Sequence, residues 1–324
     1  MKILITGAAG FIGSHLCRAL LAEGHVVIGI DNLSRGLISN IASFSDNKNF
    51  SFVFGNVHDK LVSGNIKADI IVHLASKKIP RYSDGLQNLG EGNLMLNVLV
   101  EKCVRDNSKL IFASTSDVYG KNPLLPFNEE SDLVIGPTTV RRWAYAVSKI
   151  HAEHYIIASS EVSDFNWTIL RFFGTYGPNH DLSWQGGPQS VFIEKALKKE
   201  AIEIHGSGLQ TRTFTYVDDT VNAIVRCIND ERSNGEIFNT GSDPAEEIAI
   251  IDLAKMVWKM VNGDASEALI KYIPYSDFGR YEDVMRRVPD ISKLKRFFGF
   301  KSAWSLEAGL LKTIAWQREL SASK

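Results

Sequence analysis

Tyr145 and Lys149 stand four residues apart in the run Tyr145-Ala146-Val147-Ser148-Lys149. On a helix that spacing puts both side chains on one face. An ammonium beside a phenol favours the phenolate, so the spacing predicts a Tyr145 pKa drawn down from ~10 toward neutrality. Tyr145 would then serve as a general base near pH 7. Ser114-Thr115-Ser116 follows the apolar run Lys109 to Ala113. Thr115 or Ser116 there can hydrogen-bond a reacting hydroxyl. A base, a cation and a hydroxyl ligand are the groups that take the proton of an alcohol as its hydride departs. That chemistry needs a hydride acceptor, and the chain begins with a unit suited to hold one.

Lys2 to Thr6 is a short apolar run, which reads as a buried strand. Gly7-Ala8-Ala9-Gly10-Phe11-Ile12-Gly13 follows at once, then helical spacing from Ser14 to Glu23 and a second strand from Val26 to Ile30, tipped by Asp31. A strand, a Gly-rich turn, a helix and an acid-tipped strand form a dinucleotide-binding unit. Gly7 permits the tight turn. Gly10 leaves room for a pyrophosphate, and Gly13 lets helix and strand approach. The helix start, with Phe11 and Ile12, offers N–H groups to phosphate. Asp31 can accept from both ribose hydroxyls and would repel a 2′-phosphate, which favours NAD, while Arg35 leaves NADP open. Further cofactor contacts are expected from Asn32, from Asn56 and Val57 beside the adenine, and from Leu74, Ala75, Ser76 and Phe172 at strand ends.

These residues require strands alternating with helices. Strands are expected at 50–54, 68–74, 109–113 and 167–173, and helices at 93–105 and 143–158. The alternation predicts an α/β fold, a doubly wound parallel sheet of Rossmann type. A smaller, interleaved C-terminal part would bind substrate. The expected division is residues 1–176 plus 212–242 for the cofactor, and 177–211 plus 243–324 for the substrate. The 324 residues are 44% hydrophobic and 23% charged, with a net charge of −1. That balance offers nothing to a nucleic acid or a charged membrane surface. Cys17, Cys103 and Cys227 read as small core residues in a reducing compartment. No signal peptide and no run of ~20 apolar residues is seen, so a cytoplasmic protein is expected. His151 and His154 share a helix face, but no third ligand joins them, and no metal is expected.

The motifs in this order resemble the extended short-chain dehydrogenase/reductases. They are Gly7-x-x-Gly10-x-x-Gly13, the stretch Ser114 to Gly120, Tyr145-x-x-x-Lys149, and Arg171-Phe172-Phe173-Gly174-Thr175-Tyr176-Gly177-Pro178. Within that family the chain is similar to the NAD-dependent nucleotide-sugar epimerases, dehydratases and decarboxylases. The resemblance implies a tightly held NAD, with Tyr145 as base, Lys149 as its partner and Thr115 as hydroxyl ligand. It implies that Arg212, and Arg287 beside Pro289-Asp290-Ile291, grip a diphosphate, and that Gln189 and Ser190 lie by the nucleobase. Lys78 and Asp117 complete the expected substrate contacts. Ser116-Asp117 replaces the Asp-Glu pair of dehydratases and the Ser-Glu of decarboxylases. Gly174 replaces a substrate-binding asparagine. A 4-epimerase needs no further acid once C4 is a ketone, so epimerisation of a UDP-hexose or UDP-hexuronate is the first expectation. Decarboxylation of UDP-glucuronate is the alternative, followed by a 4,6-dehydratase and by a module that binds NAD without turnover. The family often pairs through a four-helix bundle, which implies a homodimer.

Overall fold

The computed structural model describes residues 1–63, 65–76, 87–183 and 187–322. The first half alternates strand and helix as the apolar runs dictate. In chain order come β1 (Lys2–Thr6), α1 (Phe11–Ala22), β2 (Val26–Asp31), β3 (Phe50–Phe54), α2 (Val57–Ser63), β4 (Ile70–His73), α3 (Gly92–Asp106), β5 (Lys109–Thr115), α4 (Trp143–Ser163) and β6 (Trp167–Phe172). The second half has shorter pieces: β7 (Thr175–Tyr176), α5 (Pro188–Leu197), β8 (Ile202–His205), β9 (Thr211–Arg212), β10 (Thr215–Tyr216), α6 (Val217–Asn229), β11 (Glu236–Thr240), β12 (Ile248–Ala249), α7 (Ile250–Asn262), β13 (Ile270–Ile273), β14 (Arg286–Arg287), α8 (Ser292–Phe298) and α9 (Leu306–Ala322).

Seven strands form one parallel sheet in the order β11-β6-β5-β4-β1-β2-β3. Side chains alternate across it. Leu4, Ile28, Ile71, Leu110 and Ile169 pack with Leu61 of α2, Leu99 of α3 and Ile156 of α4. Ile3, Val27, Val72, Ile111 and Leu170 lie in the opposite layer with Leu16 of α1 and Ile224 of α6. Both faces are thus covered, which explains why the strands read as continuous apolar runs rather than alternating ones. The doubly wound fold expected from the sequence is the fold observed.

Strands are added in one direction across the sheet from β1 to β3 and in the other from β4 onward, and open α/β sheets bind ligands in the crevice at such a switch point, here between β1 and β4. The strand ends there are Thr6, His73 and Thr115. α4 runs one turn and a half longer than its apolar pattern suggests, and it stops where Asp164 adopts the left-handed conformation with φ +43°. Elements outside the large sheet pair among themselves: β8 with β13, and β9 between β12 and β14. The last pairing sets Arg287 directly opposite Arg212. Among the described residues no helix is long and apolar enough to cross a membrane.

Candidate active site

A cleft of about 630 Å³ opens at the crevice. Its floor is the turn between β1 and α1. Gly7 has φ +76°, and a Cβ on Gly13 would stand 2.0 Å from the Gly7 carbonyl oxygen. Only glycine lets the helix start come this close to the strand end. Asp31 is buried at the far side, where its Oδ2 accepts from Ala9 N at 3.0 Å and its Oδ1 from Leu33 N at 2.8 Å. A carboxylate has about four lone-pair positions, so these N–H groups leave acceptor capacity for a ribose hydroxyl. Burial raises the Asp31 pKa, and the N–H groups of Leu33, Ala9 and Gly10 oppose that shift. Arg35 reaches Asp181 at 4.0 Å. Asn32 donates to Asn56 Oδ1 at 2.9 Å. Phe11, Ile12, Val57, Leu74, Ala75, Ser76 and Phe172 line the same cleft, as do Gly10, Arg35 and both Tyr145 and Lys149. The glycine cradle and the buried acid fit a dinucleotide.

A second cavity, about 200 Å³, adjoins the first at Phe172. Thr115, Ser116, Asp117, Gln189, Arg212 and Arg287 line it. Tyr145 is buried and its phenol hydrogen-bonds with Thr115. The predicted base, the predicted hydroxyl ligand and both predicted arginines therefore meet where the cavities join. Ser190 lies elsewhere: it is buried against α9, and its carbonyl accepts from Gln317 Nε2 at 3.3 Å. Lys78 falls outside the described residues.

The electrostatics of the pair differ from the expectation. The Tyr145 pKa is raised, because burial and the nearby Asp117 carboxylate outweigh help from Thr115 and Arg287. Lys149 does not offset this. Its Nζ donates to the Ala113 carbonyl at 2.8 Å and lies 4.5 Å over the Phe112 ring. Helical spacing put the two side chains on one face, but β5 runs beneath that face and offers the ammonium a carbonyl. Burial pushes the Lys149 pKa down to about 8, partly countered by Glu153. His73 lies below, with Nδ1 2.7 Å from Thr6 Oγ1. Burial and the Lys149 charge push it to about 3, so it is neutral.

Lys149 thus loses its proton more easily in the folded chain than in the unfolded chain. Between pH 8 and 10.5 the unfolded state holds more protons, so stability rises with pH through that window. Below pH 8 the full cost of burying the charge remains. In cofactor-free protein, wild type should gain on Lys149→Met by about 1 kcal/mol per pH unit above pH 8. Urea midpoints of both proteins from pH 7 to 9.5 test this, and parallel profiles would refute it.

Three features of the site were not legible in the motifs. Gln189 Nε2, Gln210 Oε1 and Thr213 Oγ1 are buried without a hydrogen-bond partner among the described residues, and all three side chains line the smaller cavity. Buried polar atoms are nearly always paired, so these three are suited to a polar ligand. Asp283 holds Arg212 Nη2 at 3.2 Å and Arg142 Nη1 at 3.0 Å. The arginines hold its carboxyl well below the usual range despite burial. Burial and the adjacent Arg287 bring Arg212 down to about 10, so it stays cationic at neutral pH. Gly174 has φ +56°, and a Cβ there would meet the Thr213 carbonyl oxygen at 2.5 Å, which leaves no room for an asparagine side chain in this backbone. Among the described residues no cluster of three metal-binding side chains occurs.

Comparison with known proteins bears on the family and the fold. The model of the NAD dependent epimerase/dehydratase family matches residues 3–241. A UDP-N-acetyl-alpha-D-glucosaminuronate decarboxylase of Bacillus cytotoxicus is 33% identical, with 98% of each chain covered. The UDP-glucuronic acid decarboxylase 1 of Danio rerio is 34% identical over 98% of this chain and 73% of its own. The crystal structure of UDP-glucuronic acid 4-epimerase from Bacillus cereus, in complex with UDP-glucuronic acid and NAD, superposes with a TM-score of 0.84 at 28% identity, covering 99% of this chain and 100% of that one. The chain belongs to the NAD-dependent epimerase/dehydratase family, and NAD is its cofactor.

Proposed function

We propose that this protein decarboxylates a UDP-linked hexuronate. The observation that carries the reading is the smaller cavity, which Arg212 and Arg287 line together with Thr115 and Asp117. Arginines suit a diphosphate and a carboxylate because each guanidinium can bond two oxygens at once. NAD held in the larger cleft would supply the hydride acceptor for the sugar carbon. Tyr145 Oη takes the proton of the C4 hydroxyl, and Thr115 Oγ1 holds the same oxygen. Arg287 and Arg212, both lining the smaller cavity, neutralise the anionic ligand. Tyr145 begins as a neutral phenol here, so the charge that makes it a base must come from the loaded site.

The sequence placed epimerisation first because it needs no further acid. On a uronate that argument favours neither reaction. Oxidation at C4 leaves the carboxylate β to a ketone, and its C–C bond breaks once it stands across the carbonyl plane. The residues that orient the carboxylate decide between the two reactions, and the decarboxylases among the curated relatives favour carbon dioxide loss. The second reading, a UDP-hexuronate 4-epimerase, draws on Asp117, which is one methylene shorter than the glutamate of decarboxylases, and on the similar epimerase fold.

Incubation with UDP-glucuronate and with its N-acetylamino analogue, followed by product NMR, tests the proposal. Carbon dioxide with a UDP-pentose is expected. A C4 epimer without carbon dioxide would shift the reading to the epimerase. Silence at 340 nm with both substrates would leave a binding module. Arg212→Ala should raise KM at least about tenfold, since a charge-assisted contact is worth ~1.5–3 kcal/mol. Steady-state kinetics checks this, and a KM within twofold of wild type would remove Arg212 from ligand binding.

A further inference from the structure

Arg142 is the residue before α4, directly preceding Trp143 and three positions before Tyr145. It is buried and does not line either cavity. Its Nη2 donates to Asp117 Oδ1 at 3.1 Å, and its Nη1 to Asp283 Oδ1 at 3.0 Å, to the Glu282 carbonyl at 2.8 Å and to Tyr281 Oη at 3.3 Å. Its guanidinium also lies 5.0 Å over the Trp143 ring and 5.6 Å over the Tyr281 ring. Burial works against its charge, yet Asp117, Tyr281 and Asp283 outweigh burial and raise its pKa.

The two carboxylate oxygens that Arg142 holds are the same two that hold the cavity arginines. Asp117 Oδ1 also takes Arg287 Nη2 at 3.0 Å, and Asp283 Oδ1 also takes Arg212 Nη2 at 3.2 Å. Nearby Glu282 is balanced by Lys121 at 3.0 Å, and Tyr275 Oη donates to Asp283 Oδ2 at 2.7 Å. Three guanidinium groups and two carboxylates leave the cluster with one surplus positive charge. Without Arg142, Asp117 would neutralise Arg287 and Asp283 would neutralise Arg212, and the cavity would offer a ligand no net charge.

We propose that Arg142 is a positioning residue that keeps the cavity charged: it shares Asp117 and Asp283, so that Arg287 and Arg212 remain available to the diphosphate of a nucleotide. The inference rests on the nucleotide-sugar reading of the cavity, but not on which reaction follows. It explains why an arginine that lines neither cavity is buried three residues before Tyr145. It also makes a structural role and an electrostatic role separable, because the effect must follow the ligand's charge.

The probes are UDP and uridine, whose binding to the NAD-loaded protein is followed by calorimetry and NMR titration. Arg142→Gln should weaken UDP about tenfold or more while uridine stays within about twofold, as expected for one unit charge lost several ångströms from a polyanion. Arg142→Gln combined with Asp117→Asn restores the surplus charge, and UDP affinity should return to within about threefold of wild type. Unchanged UDP affinity in Arg142→Gln would overturn the proposal. Equal losses for UDP and uridine would overturn it in favour of a structural role, and so would a double variant no better than the single one. Should Arg142→Gln not fold, Asp117→Asn alone adds one positive charge and should tighten UDP about fivefold. Unchanged or weaker UDP binding to that variant would overturn the proposal. Failure of wild type to bind UDP at all would overturn both this proposal and the nucleotide-sugar reading beneath it, whereas UDP binding without decarboxylation leaves this one standing.

Discussion

Tyr145→Phe lowers kcat about 10³-fold, within the range typical of a lost general acid or base, and leaves NAD bound. The ring still fills its buried place at the start of α4. Only Oη is lost, and with it the hydrogen bond to Thr115. The glycine turn and Asp31, which we propose hold the cofactor, line the cleft at other positions. The loss therefore falls on kcat, with KM for the nucleotide sugar changed little, because Arg212 and Arg287 remain. Steady-state kinetics with cofactor content measured in parallel checks the split. A kcat within threefold of wild type would take Tyr145 out of the chemistry, and loss of cofactor would make its role one of binding.

Arg171→Met destabilises the protein by about 3–5 kcal/mol, the cost of leaving one member of a buried ion pair alone. Arg171 Nε and Nη2 both engage Glu153, the latter at 2.7 Å, and Nη1 donates to Tyr119 Oη at 2.9 Å and to the Glu129 carbonyl at 3.0 Å. Glu153 also accepts from Ser114 Oγ. Tyr119 Oη donates to Asn239 Oδ1 at 2.7 Å, and burial pushes its phenol up to about 12. The network ties α4 to β5, β6 and β11 directly beneath the site. Removing Arg171 strands the Glu153 carboxylate, one helical turn from Lys149, whose pKa Glu153 raises. Arg171→Met with Glu153→Gln should recover part of the loss, since the unpaired charge is then gone. Urea unfolding of the three proteins decides it. A single-variant loss below about 1 kcal/mol would mean the network adds little beyond packing.

Much of the arrangement was legible before any coordinates. Lys2 to Thr6, the three glycines and Asp31 sit close together in the chain, and each obeys a local rule of backbone freedom or apolar period. Tyr145 and Lys149 read as one helix face for the same reason. Those elements formed nearly where the sequence places them, with ends differing by a few residues where caps such as Asp164 intervene. The gap at Lys149 is instructive. Helical spacing fixes where a side chain starts, whereas the Ala113 carbonyl that receives its ammonium belongs to a strand 36 residues earlier.

The sequence by itself therefore determined most strands and helices of the large sheet, the glycine turn for a dinucleotide and the family to which the motifs belong. Tertiary structure alone decided the order of the seven strands, the raised pKa of the phenol and the shared grip of Arg142, Arg212 and Arg287 on Asp117 and Asp283. Local patterns reflect dihedral freedom and burial over a few residues, which the chain carries at every point. A buried charge takes its energy from whichever groups surround it, and those come from strands, turns and helices up to 170 residues apart in the chain.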